Sequence, residues 1–277
     1  MSVLAFAILA IITLTIGWKR NFFSFPSGHW FYQIRWHHVA FAFFIYFLFS
    51  VILSPWVGKW LQKILIHNHS TQSILSYATW LNFINSTMIF VFLMVVLTAL
   101  PVLRKMGSRE PFSYLQDLGA ALTAWAISFP LIVFVNQGLD WIVTHIFHVA
   151  HAPEQLAVQF LKMTLGYPVL FILALLSIAV LAPLVEEVLF RGFLQSFIRQ
   201  HLGKKQAIFI TSLLFSLFHY SPEQKISNLT IVGSLFIFSL FLGFVYEKRE
   251  SLLAPIFLHS LFNTVNVMNL YFLGKTL

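Results

Sequence analysis

Glu186 and Glu187 stand side by side in the stretch LAPLVEEVLFRGFL, with Arg191 four residues after the second of them, in otherwise apolar surroundings. Burying one carboxylate at the centre of a bilayer costs about 2.5–3.5 kcal/mol on the gentlest scale, so two in a row need partners or a purpose. Glu187 and Arg191 are i and i+4, on one helical face and within reach of an ion pair. Glu186 lies about 100° further round the helix and is less clearly matched to the arginine, which leaves it to act as a general base. Two later segments carry further groups. FSLFHY puts His219 at the end of an apolar run, and HSLFN puts His259 and Asn263 at i and i+4, on one face. A carboxylate that takes a proton from water, with donors aimed at a developing oxyanion, is sufficient for hydrolysis of a carbonyl compound. The bland alternatives are a structural ion pair and packing histidines. Three helices that each carry such groups outweigh them.

The elements that must position these residues are membrane helices. Only 9% of residues are charged, 59% are hydrophobic, mean hydropathy is +0.83 and phenylalanine occurs 32 times. Apolar runs of roughly 17–25 residues recur, which suits helices rather than the shorter alternating strands of a barrel. The expectation is an all-α, polytopic membrane protein, one membrane domain over residues 1–277 with its active site within the helix bundle. About eight spans are expected, at 2–17, 39–58, 81–103, 118–136, 167–198, 206–220, 229–246 and 252–272. The first has no basic residue before it and reads as an anchor rather than a cleaved signal peptide. Residues 137–166 are expected along the membrane interface. The net charge of +8 sits in short loops beside the spans, so it speaks for topology and anionic headgroups rather than for nucleic acid. Lys19, Arg20, Arg35, Arg104, Lys105, Arg109, Arg199, Lys204, Lys205, Lys248 and Arg249 fall on one side. Lys59, Lys63, Lys162, Lys225 and Lys275 fall on the other. The positive-inside rule makes the richer side cytoplasmic and puts both termini outside. There is no cysteine, hence no disulfide, thiol nucleophile, thiolate ligand or palmitoyl site.

Depth follows from spacing. Glu186 is 13 residues before Arg199, His219 is 14 after Lys205 and Asn263 is 13 after Glu250. At 1.5 Å per residue each is about 20 Å from the cytoplasmic end of its helix, so the three could meet at one level. The run ending at His219 is short for a span, and the polar SPEQKISN that follows needs a wet cavity or protein cover at that depth.

The motifs E-E-x-x-x-R (Glu186 to Arg191), F-x-x-x-H (Phe215 to His219) and H-x-x-x-N (His259 to Asn263) occur in this order on separate spans, with LAP before and GF after the first. Together they resemble the CPBP intramembrane proteases (the CAAX-processing, Abi or Rce1-like family) over about residues 180–266. The resemblance implies a catalytic core at 167–272 and hydrolysis of a peptide bond in a membrane-associated peptide or protein, of CAAX type or related, with or without a prenyl group. It implies that Glu186 and His219 activate water and that His259 and Asn263 stabilise the oxyanion. Glu187, Arg191 and Phe215 would bind substrate or hold the site. The partners implied are membrane lipid and a peptide substrate, with no nucleic acid.

No cofactor is assigned. Glu186, His219 and His259 could ligate zinc as O, N and N. Against that, the position four residues after Glu186 is Phe190, not histidine, and Asn263 is a poor zinc ligand but a good hydrogen-bond donor. The expectation is water activated without tightly bound zinc. His145, His148 and His151, spaced three apart, read as interfacial polar residues before they read as metal ligands. H-E-x-x-H, G-x-S-x-G and G-x-G-D are absent, and the only aspartates, Asp117 and Asp140, sit in no convincing polar cluster. The competing functions are a non-proteolytic scaffold or immunity-type protein of the same fold, and a small transporter. The intact set of Glu186, His219, His259 and Asn263 argues against the first. The lack of an internal repeat argues against the second.

Overall fold

The computed structural model describes residues 3–26, 34–66, 70–99, 112–149 and 156–274. Every regular element among them is helical: α1 Val3–Lys19, α2 Trp36–Leu65, α3 Thr71–Ala99, α4 Phe112–His145, α5 Leu156–Thr164, α6 Pro168–Leu202, α7 Lys204–Phe218, α8 Asn228–Arg249 behind a 3₁₀ turn at Pro222–Ser227, and α9 Leu253–Gly274. Arg104, Lys105, Arg109, His151 and Lys275 lie outside the described residues.

Polarity is inverted relative to a water-soluble protein. Glu187, Arg191, Asp117 and Glu247 have no exposed surface, whereas Leu4, Ile11, Val51 and Val169 are about two-thirds exposed. A chain that buries its charges and presents its large apolar side chains has lipid as its solvent, and in lipid only helices satisfy their own backbone. The protein is an all-α integral membrane protein. Among the described residues five helices are long and apolar enough to cross a membrane: α2, α3, α4, α6 and the stretch Pro222–Arg249. The expected count of eight is larger. The remaining three segments do form helices, but α1 and α7 have 17 and 15 residues, and α9 is interrupted by His259, Asn263, Asn266 and Asn269. Residues 137–145 are not a separate interfacial segment, because α4 runs unbroken through them to His145.

The described chain falls into two compact units. The first comprises Met1–Phe31, Arg109–Gln155 and Leu194–Leu258. In it α8 packs on α4 and α7, and α1 packs on α4. The end of α6 is tied to α8 by polar groups. Gln195 Nε2 donates to Gly243 O (3.1 Å) and Glu247 Oε1 (3.0 Å), Arg199 Nε lies 3.2 Å from Glu247 Oε2, and the Ser196 and Tyr246 hydroxyls are 2.7 Å apart. Gly243 permits the approach, since a Cβ there would stand 2.8 Å from Gln195 Oε1. Gly203, at φ +86°, turns the chain from α6 into α7 in a conformation that favours glycine. Lys248 Nζ donates to Ser24 O and Lys204 Nζ to Pro26 O, both at 3.1 Å, so the segment after α1, the last turn of α8 and the first turn of α7 meet at one basic end.

Asp117 belongs to that unit and corrects the sequence reading. Its carboxylate is fully buried and accepts Arg249 Nε at 2.7 Å and Ser251 Oγ at 2.6 Å, while an Arg249 terminal nitrogen donates to Gln116 Oε1 at 3.0 Å. The partners lie more than 130 residues away in sequence, which hid the cluster.

The second unit comprises Tyr32–Ser108, Leu156–Phe193 and His259–Leu277. Here α3 packs on α2 and α6. Leu161 of α5, Ala174 of α6 and Val267 of α9 form a small apolar core with Phe171, Ile178 and Leu270 around it. That core fixes α9 against α6 beside the paired carboxylates.

Candidate active site

The helix that carries Glu186 and Glu187 is irregular on both sides of them. It is π-helical over Ser177–Leu181 and again over Val188–Gln195. Such bulges widen the turn and re-aim side chains. Pro183 helps to explain the first one. A proline offers no N–H and its ring crowds the preceding turn. In the π register the amide of Ala182 reaches back five residues to Ser177 O. The next residue in that register is Pro183, so the carbonyl of Ile178 has no amide to meet. Asn263 supplies one: its Nδ2 donates to Ile178 O at 2.8 Å. In lipid such a carbonyl needs a donor from within the protein, and here it comes from α9.

Glu187 Oε1 accepts two hydrogen bonds, from Arg191 Nη1 at 2.9 Å and from His259 Nδ1 at 2.7 Å. Glu187 and Arg191 are completely buried and His259 almost so. The carboxylate beside a permanently charged guanidinium has no proton to give, so Nδ1 of His259 is the donor. A neutral His259 then carries its lone pair on Nε2. That atom is 3.9 Å from Glu186 Oε2, and the Glu186 side chain keeps 19% of its surface. Glu186 is therefore the accessible member of the carboxylate pair, and Glu187 the enclosed one. Tyr46 of α2 hydrogen-bonds Ser50 and lies within electrostatic reach of Glu186, and Phe43 meets Phe190 edge to face at 5.5 Å. No sequence pattern pointed to Tyr46 or Phe43, because both sit in an apolar run with no motif.

Glu186, Glu187, Arg191, His259 and Asn263 thus come together in the second unit. Phe215 and His219 belong to the first. His219 follows the last residue of α7, and its Nδ1 meets Phe215 O at 2.9 Å. A carbonyl only accepts, so Nδ1 donates, which leaves Nε2 of the neutral ring as the acceptor. Phe215 is fully buried and its ring centroid is 4.8 Å from that of His219. The spacing in F-x-x-x-H therefore has a backbone purpose, since residue i orients the histidine at i+4. The polar turn beyond is held by Asn228, whose Nδ2 donates to Ser221 O (2.6 Å) and Lys225 O (2.9 Å), and whose Oδ1 accepts Ser221 N (3.0 Å). Protein cover thus satisfies this irregular backbone. Lys225 holds φ +45° within it.

A catalytic zinc takes three protein ligands and keeps a position for water. Among the described residues no three His, Asp or Glu side chains gather as a metal site. His145 instead stacks on Trp141 with ring centroids 4.8 Å apart, its Nδ1 on Trp141 O at 3.0 Å. His148 adopts a left-handed conformation beyond the helix end.

Residues 168–265 match the family model described as type II CAAX prenyl endopeptidase Rce1-like, which bears out the resemblance carried by the three motifs. The matched stretch contains Glu186, Glu187, Arg191, Phe215, His219, His259 and Asn263. A curated relative from Escherichia coli, the "Uncharacterized 24.3 kDa protein", is 31% identical over 97 residues, which are 35% of this chain and 44% of that protein. The chain thus matches less than half the length of that relative. No solved structure matches the chain.

Proposed function

We propose that the chain is an intramembrane endopeptidase that hydrolyses a peptide bond in a membrane-associated peptide or protein, with Glu186 as general base. The observation that carries this reading is the division of labour between neighbouring carboxylates. Glu187 Oε1 is taken by Arg191 and His259, whereas the Glu186 side chain keeps 19% of its surface and turns its buried Oε2 toward His259 Nε2, 3.9 Å away. Glu186 takes a proton from water, and the oxygen adds to the carbonyl carbon. The tetrahedral oxyanion is met by N–H donors, and the C–N bond breaks as the proton passes to the leaving amine. The resemblance of the motifs supports His259 and Asn263 as the donors, and a share for His219 in activating the water. As a donor His259 needs a proton on Nε2 in addition to the one that Nδ1 gives to Glu187. Asn263 has two amide N–H groups and Ile178 O takes one, so the other is left for an oxyanion. No step runs through a metal. The family description supports a CAAX-type C-terminal peptide as the substrate class.

The test uses purified full-length protein in lipid bilayers with a fluorescence-quenched CAAX peptide, prenylated and unprenylated. Release of the C-terminal fragment by the wild type, and none by Glu186→Gln at equal protein level, is the expected result. Cleavage by the Glu186→Gln variant at the wild-type rate would end the assignment.

A further inference from the structure

We infer that the cavity between α1 and α4 at the basic end of the first unit binds one anionic phospholipid. Arg20 and Lys248 take its phosphate, and an acyl chain lies along Ile16, Gly17, Ala126 and Ile127. The cavity has a volume of about 440 Å³ and no acidic residue lines it. Its walls are apolar even where the sequence is not. Thr13 Oγ1 is shared between Ala10 O at 3.2 Å and Ile127 O at 3.3 Å, and Thr123 Oγ1 donates to Gly119 O at 2.8 Å, so both hydroxyls are taken up by backbone carbonyls. Gly17 closes the floor, because a Cβ there would come within 3.0 Å of Ile127 Cδ1 and 3.1 Å of Phe23 Cε2.

The cations at the mouth are arranged for an anion. Lys248 Nζ is held in place by Ser24 O at 3.1 Å and by the rings of Phe22 and Phe244, at 5.4 and 5.9 Å. An ammonium has three donors, so two remain. Arg20 is exposed at the end of α1 and brings a planar fork that matches phosphate oxygens. The two cations belong to the ends of membrane helices, where headgroups lie, and the groove below them faces the hydrocarbon. A soluble anion would use the first feature and ignore the second, whereas a phospholipid uses both. Basic pockets between membrane helices attract anionic lipid headgroups on these grounds.

The test is native mass spectrometry of the full chain with phosphatidylglycerol, phosphatidylcholine of the same acyl chains, and glycerol phosphate. One phosphatidylglycerol should be retained in preference to phosphatidylcholine. The Arg20→Gln, Lys248→Gln double variant should hold it about thirtyfold more weakly, about fivefold for each cation removed. Ala126→Phe keeps both cations and fills the groove at an exposed position, so it should lose the lipid while melting as the wild type does. Equal retention of the two lipids, or unchanged retention in both variants, overturns the inference. Displacement of the lipid by equimolar glycerol phosphate would also overturn it, in favour of a soluble anion.

Discussion

Glu187 Oε1 joins α6 to α9 by accepting His259 Nδ1 at 2.7 Å, and the same atom accepts Arg191 Nη1 at 2.9 Å. One oxygen therefore sets both the orientation and the tautomer of His259. That makes Glu187 a positioning residue and separates its role from that of Glu186. In Glu187→Gln the charge facing buried Arg191 is lost, and breaking a buried pair costs about 3–5 kcal/mol. The variant should melt lower and lose activity. Glu186→Gln nearly preserves shape, so it should lose activity at an unchanged melting temperature. Equal destabilisation of the two variants would contradict this division.

In the proposed mechanism Asn263 carries a double duty that a paired substitution can divide. Asn263→Ala leaves Ile178 O without its donor, at a cost of about 1–3 kcal/mol, and also removes an oxyanion donor. Pro183→Ala restores a backbone N–H one residue beyond Ala182, in register for Ile178 O. The double variant should therefore recover stability and stay inactive, a coupling that a double-mutant cycle measures. Recovery of activity along with stability would mean that Asn263 only braces the helix.

How much of this was legible in the sequence depended on distance along the chain. The Glu187–Arg191 pair is local, so helical spacing alone supplied it. The bond from His259 to Glu187 spans 72 residues, and the motif order placed the two on different helices without saying which atoms meet. Asn263 was readable as polar and deep, but its partner is a backbone carbonyl, which carries no residue signature. Only the proline five residues after Ile178 hinted at it. Asp117 was misread for the same reason, because Arg249 and Ser251 are 132 and 134 residues away. The helices were legible because apolar runs of spanning length have few alternatives. The count of spans was less so, because the polar residues of α9 break the apolar run that marks one.

Asp117 offers a test independent of catalysis. Hydrogen bonds to a charged group are worth about 1.5–3 kcal/mol, and Asp117 accepts at least two. Asp117→Ala should lower the melting temperature in detergent clearly, and Asp117→Asn less, since its amide oxygen still accepts one bond. Both changes lie in the first unit, whereas Glu186 and Glu187 belong to the second. Activity per folded molecule should hold, as measured by peptide release normalised to monodisperse protein.

The basic end of the first unit makes topology testable. Lys204, Lys248 and Arg20 all lie there, and the positive-inside rule assigns that end to the cytoplasm. A reporter active only in the cytoplasm should report when inserted beside Lys204 and stay silent when fused after Leu277. A strong signal from both fusions would mean that an even number of crossings, rather than the expected three, separates the two points.

Metal dependence is the sharpest remaining test of the carboxylate mechanism. Glu187 takes Nδ1 of His259, so this histidine could offer a metal only Nε2, and the one carboxylate oxygen near it is Glu186 Oε2 at 3.9 Å. Within the second unit these two donors fall short of the three that hold a catalytic zinc, and the neighbouring Asn263 spends an N–H on Ile178 O rather than offering a strong ligand. Arg191 already brings positive charge into the site through Glu187. Purified active protein should therefore contain zinc far below one equivalent by elemental analysis, and should keep its peptide-release rate after dialysis against a chelator. Activity that disappears on chelation and returns with zinc alone, together with about one equivalent bound, would instead make Glu186, His219 and His259 its ligands and turn Glu186 from base into ligand.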